Sequence, residues 1–187
     1  MFSWYHEDFD NDQTSLREPI ECWGDFKMCR WPSYALNPET PTPSSPNGTP
    51  ERYFLAMNDE SIKNHCPNDT TFTITFSHFL PRRECMLPKK FLRIKFLPKV
   101  AGTQRLDEQI RKLKSNIHVF GHTHILANEF IDGIQYIQMC LKYPRERFTY
   151  PDGSLQDIEE MVIWDENLSQ TEMYERMDRH KLPGNFL

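Results

Sequence analysis

The run Ile117-His118-Val119-Phe120-Gly121-His122-Thr123-His124-Ile125 decides the reading of this chain. Ile117, Val119 and Phe120 are apolar and read as a short buried strand. Gly121 then lets the backbone turn with no side chain in the way. His122 and His124 stand two apart, the spacing that puts side chains on one side of an extended segment. A neutral imidazole is the commonest protein ligand for transition metals. An apolar strand thus delivers two nitrogen ligands to one spot at its end. His118 precedes the motif inside the strand and is read as structural.

A second stretch points the same way. Thr71 to Phe79 reads Thr-Phe-Thr-Ile-Thr-Phe-Ser-His-Phe, alternating hydroxyl and apolar side chains with the period of a strand. Ile, Thr and Phe all favour strands. His78 lies at its C-terminal end, before Leu80-Pro81, where proline ends regular pairing. Open sheets with helical crossovers bind ligands beyond the carboxyl ends of their strands. His78, His122 and His124 therefore make a candidate three-histidine metal site.

Between these stretches Thr103 to Ser115 is the clearest helix. Leu106, Ile110 and Leu113 share one face, Thr103 can cap, acids sit early and lysines late. It would link strand 71–78 to strand 117–120 as a crossover. Three further strands are expected, at about Asn128–Ile131, Ile134–Leu141 and Met161–Asp165, with Asp132-Gly133 turning the first two into a hairpin. Glu51 to Met57 reads as a short helix after Pro50. The fold class is α/β, with strands outnumbering helices.

Those residues resemble the calcineurin-like metallophosphoesterase family. That family's pattern runs Asp-x-His, Gly-Asp, Gly-Asn-His-Asp/Glu, a lone His, then Gly-His-x-His. Ser77-His78 matches the lone His, and Gly121-His122-Thr123-His124 the last block. Phe2-Ser3-Trp4-Tyr5-His6, Phe76-Ser77-His78-Phe79-Leu80-Pro81 and Arg105-Leu106-Asp107-Glu108-Gln109-Ile110 are similar to stretches of uncharacterised cytosolic members. The resemblance covers most of the chain apart from the Pro-rich segment and the last twenty or so residues. It implies the C-terminal half of a two-sheet metallophosphoesterase sandwich flanked by helices.

No Asp-x-His precedes His78. Gly24-Asp25 and Asn64-His65 superficially match the second and third blocks. No apolar strand leads into either, and both are read as chance matches. The chain is therefore expected to begin inside its domain, so that 1–187 is a single incomplete domain. Within it, 37–50 is a flexible Pro-rich insertion and 169–187 a tail. The aromatic segment before Trp31 is expected to be loosely held.

By that resemblance the chain belongs to a metal-dependent phosphoric-ester hydrolase. Two divalent ions (Mn, Fe or Zn, which suit imidazole and carboxylate better than Ca) acidify a bridging water and clamp the phosphate. His78 and His122 would bind one metal and His124 the other, with one ion at most expected here. The isolated chain is expected to be inactive, because the bridging Asp and the Asn are absent. The alternatives are a mononuclear three-His zinc hydrolase, or a non-catalytic remnant acting as a binding module.

Composition narrows the partners. Lys plus Arg number 22 against 27 Asp plus Glu, a net −5, which argues against a general nucleic-acid binder. No apolar run is long enough to span a bilayer, and the N-terminus has no signal-peptide shape. With five cysteines and no Cys-x-x-Cys, reduced thiols and a cytoplasmic location are expected. Arg82, Arg83, Lys89, Lys90, Arg93, Lys95 and Lys99 follow the first ligand strand against one acid, Glu84. They read first as a solvated cover on the sheet. The second reading is a positive rim, with Arg82 and Arg83 as weak candidates for binding a phosphorylated substrate.

Overall fold

The computed structural model describes residues 1–10, 23–32, 50–65, 67–68, 71–140, 143 and 161–178. Four strands, β1 (Ile74–Phe76), β2 (Ile117–Val119), β3 (Ala127–Ile131) and β4 (Ile134–Gln138), form one mixed sheet in the order β1-β2-β4-β3. β2 is parallel to β1 and to β4, while β3 and β4 are antiparallel. Around the sheet lie α1 (Gly24–Met28), α2 (Pro50–Lys63), α3 (Arg105–Lys112) and α4 (Gln170–Asp178). The α/β class follows. Among the described residues there is one sheet rather than two, and strands do not outnumber helices.

The hairpin follows from its turn. Asp132 and Gly133 both have positive φ (49° and 87°), the twist that suits a two-residue connection between antiparallel strands. β1 and β2 are parallel, so the chain must cross over. It leaves β1, winds through 3-10 turns at Arg83–Cys85, Lys89–Phe91 and Leu97–Val100, and returns along α3. The expected crossover helix is present. Thr103 lies just ahead of it, its Oγ1 accepting from the Arg105 amide at 3.3 Å and donating to Glu51 at 2.7 Å.

Both faces of the sheet are covered, as a parallel centre requires. On one side Leu80, Leu106, Ile110, Phe120, Ile134 and Tyr136 are buried together. On the other, Ile117 and Ile137 meet Met177 of α4, with Met161 and Ile163 packed against them. Residues 170–178, read as tail, thus form a helix that closes one face of the sheet. Met161–Asp165 is not a strand. Its side chains alternate between half-buried and exposed. No strand of the sheet pairs with it, so the pattern reflects packing against Met177 rather than a ladder.

The helix after Pro50 is twice the length expected, because tertiary bonds continue it. Asn58 accepts from the Phe2 amide (2.9 Å) and donates to the Phe2 carbonyl (2.7 Å) and to Gln109 of α3 (2.9 Å). The first ten residues are likewise well anchored rather than loose. Tyr5 and Phe9 are buried, and the His6 amide donates to the Gly102 carbonyl at 3.0 Å. The Asp10 carboxylate has no exposure and pairs with Lys89 at 3.0 Å. The Pro-rich insertion lies outside the described residues except for Pro50, which opens α2. Cys29 and Cys85 are free thiols, while Cys22 and Cys66 lie outside the described residues.

Candidate metal centre

β1 and β2 run side by side in the same direction, so Ser77-His78 and Gly121-His122 leave the sheet at the same end. Their pairing continues past the strands. The Ser77 amide donates to the Val119 carbonyl and the Gly121 amide to the His78 carbonyl, each at 3.0 Å. The outcome is a direct contact between the two imidazoles, His78 Nε2 lying 3.1 Å from His122 Nδ1.

The turn that aims His122 is not made by the glycine. A Cβ on Gly121 would meet only ordinary contacts, 3.6 Å from the His78 carbonyl and 3.8 Å from its ring. Positive φ falls instead on His122 (75°) and His124 (57°). The left-handed region costs a non-glycine residue roughly 1–2 kcal/mol, and such conformations cluster at functional sites. The segment is therefore a tight turn, with the Thr123 amide bonded to the Gly121 carbonyl at 3.0 Å, and not the extended run that the spacing suggested.

Burial, with repulsion from neighbouring imidazoles, holds the His78 and His122 rings toward the neutral form. His122 is pushed down to about 4, first by burial and then by the neighbouring His78, with the Val100 backbone opposing and His124 adding a little. His78 is lowered by burial, against the attraction of Asp25 and with a small push from His124. A neutral ring keeps a lone pair for a metal. Nε2 of His122 is buried without a hydrogen-bond partner, while its Nδ1 faces Nε2 of His78.

Two nitrogens bound to one ion at about 2.0–2.1 Å lie roughly 3.0–3.4 Å apart at ordinary ligand angles. The His78–His122 separation fits that spacing. His124 does not complete the set. It is close enough to influence both rings electrostatically, and its ring stacks edge-on with Tyr143 at 4.9 Å. Among the described residues no group of three His, Cys, Asp or Glu side chains converges tightly enough to hold a metal ion.

Other candidates fall elsewhere. Arg82 donates to Glu84 (2.6 Å), Asp107 (3.1 Å) and Asp132 (3.4 Å), and Arg83 lies 3.7 Å from Asp10. Both guanidiniums are held by carboxylates, so neither presents an unpaired charge to a phosphate. Lys95 donates to the Lys89 and Lys90 carbonyls, which fits a cover on the sheet better than a rim. His65 bonds the Ser61 carbonyl at 2.9 Å and lines a cavity of about 830 Å³ with Ile62, Thr73 and Leu113, which none of the three histidines lines.

Asp25 is different. Trp23 Nε1 donates to its carboxylate at 2.9 Å, and the Trp23 ring sits 6.2 Å from His122. Its charge reaches His78. The Gly24-Asp25 pair, read as a chance match, is carried beside the histidines by the folding of the N-terminal segment. No periodicity around it signals this. The one hint was the density of aromatics, since Trp4, Tyr5, Phe79, Trp23 and Phe96 pack together there.

Comparison with known proteins adds little. No family model matches the chain, and no curated protein does either. A solved structure, the phosphopantetheinyl hydrolase PptH from Mycobacterium tuberculosis, superposes with a TM-score of 0.42 and 22% identity. The match covers 55% of this chain and 36% of that one. A superposition this partial establishes neither a shared fold nor a shared activity. Among the described residues no helix is long and apolar enough to cross a membrane.

Proposed function

We propose that this chain carries the histidine ligands of a metal-dependent phosphoric-ester hydrolase of the calcineurin-like metallophosphoesterase kind. The observation that carries the reading is the 3.1 Å approach of His78 Nε2 to His122 Nδ1 from the ends of two adjacent parallel strands. Without metal the contact is an N–H···N hydrogen bond between two neutral imidazoles, and shared ligation of one ion would replace it at nearly the same nitrogen spacing.

His78 and His122 would hold the ion, with His124 and Asp25 beside them. Such an ion acidifies a water at neutral pH and stabilises charge on phosphoryl oxygens. The chain's own residues do the positioning. Ser3 Oγ accepts from the His78 amide (3.2 Å) and the Phe79 amide (3.3 Å), and Gly121 fixes the His78 carbonyl. Trp23, Phe79 and Phe96 pack around His122 and limit water there.

Calorimetric titration of the chain with zinc and with manganese tests this. Binding that His78→Ala and His122→Ala each abolish supports the reading. Wild-type chain that binds neither metal overturns it. Little hydrolysis of a simple aryl phosphate is expected from the chain alone, since among the described residues no carboxylate joins the two rings in a ligand group.

A further inference from the structure

Beneath the two ligand strands runs an unbroken chain of side-chain hydrogen bonds. Ser115 Oγ donates to the Ile117 carbonyl at 2.7 Å and lies 2.9 Å from Thr75 Oγ1. Thr75 Oγ1 lies 2.8 Å from Nδ1 of His118, and Nε2 of His118 lies 2.9 Å from Ser77 Oγ. Ser77 Oγ in turn lies 2.8 Å from the Phe79 carbonyl. His118 is completely buried at the centre.

Both ends of this chain are carbonyls, which only accept. Along this chain five contacts therefore need five protons, one in each; Ser115 Oγ also lies 3.4 Å from the Thr73 carbonyl, which already accepts from the Asn116 and Ile117 amides. The three hydroxyls and a neutral imidazole bring one proton apiece, and the count falls one short. An imidazolium would fill the gap. The groups around the ring do not favour it. Burial pushes His118 down to about 3, the Met1 ammonium adds to that, and only Asp107 opposes. The Tyr136 ring, 6.1 Å away on β4, is neutral at ordinary pH. Burying an unpaired charge costs more than leaving one hydroxyl contact open. One contact is therefore open, and the tautomer of His118 decides which.

With the proton on Nδ1, His118 donates to Thr75, and the single Ser77 proton serves either Nε2 or the Phe79 carbonyl, leaving the other buried acceptor bare. With the proton on Nε2, His118 donates to Ser77, Ser77 donates to the Phe79 carbonyl, and Thr75 donates to Nδ1. The open contact moves to Ser115 and Thr75, where each hydroxyl still donates elsewhere. The second arrangement leaves no carbonyl orphaned and is favoured.

We propose that His118, as its Nε2–H tautomer, is a positioning residue for His78. It orients the Ser77 hydroxyl onto the Phe79 carbonyl and so clamps the peptide units on either side of His78. This rests on the reading of His78 as a metal ligand. It extends to metal centres at strand ends the general rule that partners behind a ligand fix its orientation.

Long-range proton–nitrogen spectra of the nitrogen-15-labelled chain report each imidazole tautomer, and zinc titration reports affinity. Wild-type His118 is expected as Nε2–H. Ser77→Ala removes the acceptor, so the proton moves to Nδ1, the His78 resonances shift and zinc affinity falls about tenfold. Ser77→Thr keeps the hydroxyl and restores all three. Thr75→Val perturbs the same ring from its other side, yet leaves the Nε2 arm intact, so affinity and the His78 resonances hold. An Nδ1–H wild type, or a Ser77→Ala chain with unshifted His78 resonances, overturns the proposal. So does a loss in Thr75→Val as large as in Ser77→Ala. If the wild type binds no zinc, the metal reading fails, and the tautomer and the His78 resonances still decide whether His118 positions that residue.

Discussion

The Leu80 carbonyl oxygen occupies the space where a side chain on Gly102 would begin: a Cβ there would fall 1.9 Å from it. Close approach is enforced from both sides. The Leu80 amide donates to Ala101 and the Thr103 amide to Leu80, each at 3.0 Å, which ties the end of the first ligand segment to the start of the α3 crossover. Gly102→Ala cannot be absorbed by a side-chain rotation, because the obstacle is backbone. Destabilisation of at least about 3 kcal/mol is expected, read as a drop in the urea midpoint or as loss of soluble protein.

Asp107 ties α3 to the turn segment and the hairpin. It accepts from Arg82 at 3.1 Å, from Arg111 at 2.8 Å and from the Tyr136 hydroxyl. Asp107→Ala leaves two guanidiniums and a buried phenol without their shared acceptor. A loss of about 3 kcal/mol is expected by chemical denaturation, because breaking a buried charge network costs far more than an exposed pair. Asp107→Asn keeps the packing and should cost less. Equal losses would mean that charge contributes nothing there.

Acid should destabilise the metal-free chain through its neutral histidines. His118 and His122 have folded values of about 3 and about 4, below the 6.5 of the unfolded chain. Between those values the unfolded state binds more protons, so stability is fully present above about pH 6.5 and falls as pH drops towards 4. Each ring contributes at most about 1.4 kcal/mol per pH unit. Urea midpoints measured from pH 7 to 4.5 should fall, and His118→Gln should make the fall shallower. An unchanged slope in that variant would show that His118 titrates alike in both states.

Asp25 holds the His78 imidazole toward protonation against burial. Asp25→Asn should therefore lower the His78 titration midpoint further, as followed by imidazole resonances in the absence of metal. Zinc affinity should fall severalfold, less than in His78→Ala. If neither quantity moves, the approach of the N-terminal segment to the histidines has no chemical consequence.

His124→Ala separates the pair from the third ring. Because His124 stands outside the close His78–His122 contact, zinc affinity in the isolated chain should fall by tenfold at most, against complete loss for either member of the pair. Titration calorimetry of the three alanine variants gives the ranking. Equal losses from all three would mean that the rings close into one set when metal binds.

Local chemistry made much of the fold legible in the chain itself. Alternation placed β1, the apolar residues Ile117, Val119 and Phe120 placed β2, the Leu106–Ile110 stripe placed α3, and Asp132-Gly133 placed the hairpin, because each depends on residues close in sequence. The same signals placed His78 and His122 at strand ends, and parallel pairing then brought them together. Contacts between distant residues had no such signature. Met161–Asp165 reads as a strand, yet Met161 and Ile163 pack against the Ile117–Ile137–Met177 cluster without joining the ladder. The left-handed turn at His122 and His124 belies their spacing, which has meaning only on an extended backbone. Asp25, Trp23 and Ser3 reach the histidines because Tyr5, Phe9 and Asp10 bury the N-terminal segment against the crossover, an energy visible only once both partners are in place. His118 read as structural from its place inside a strand. That its proton is one of too few for the chain of hydroxyls around it depended on Thr75 and Ser77 of the β1 segment and Ser115 of a turn converging on it, which tertiary packing alone decides.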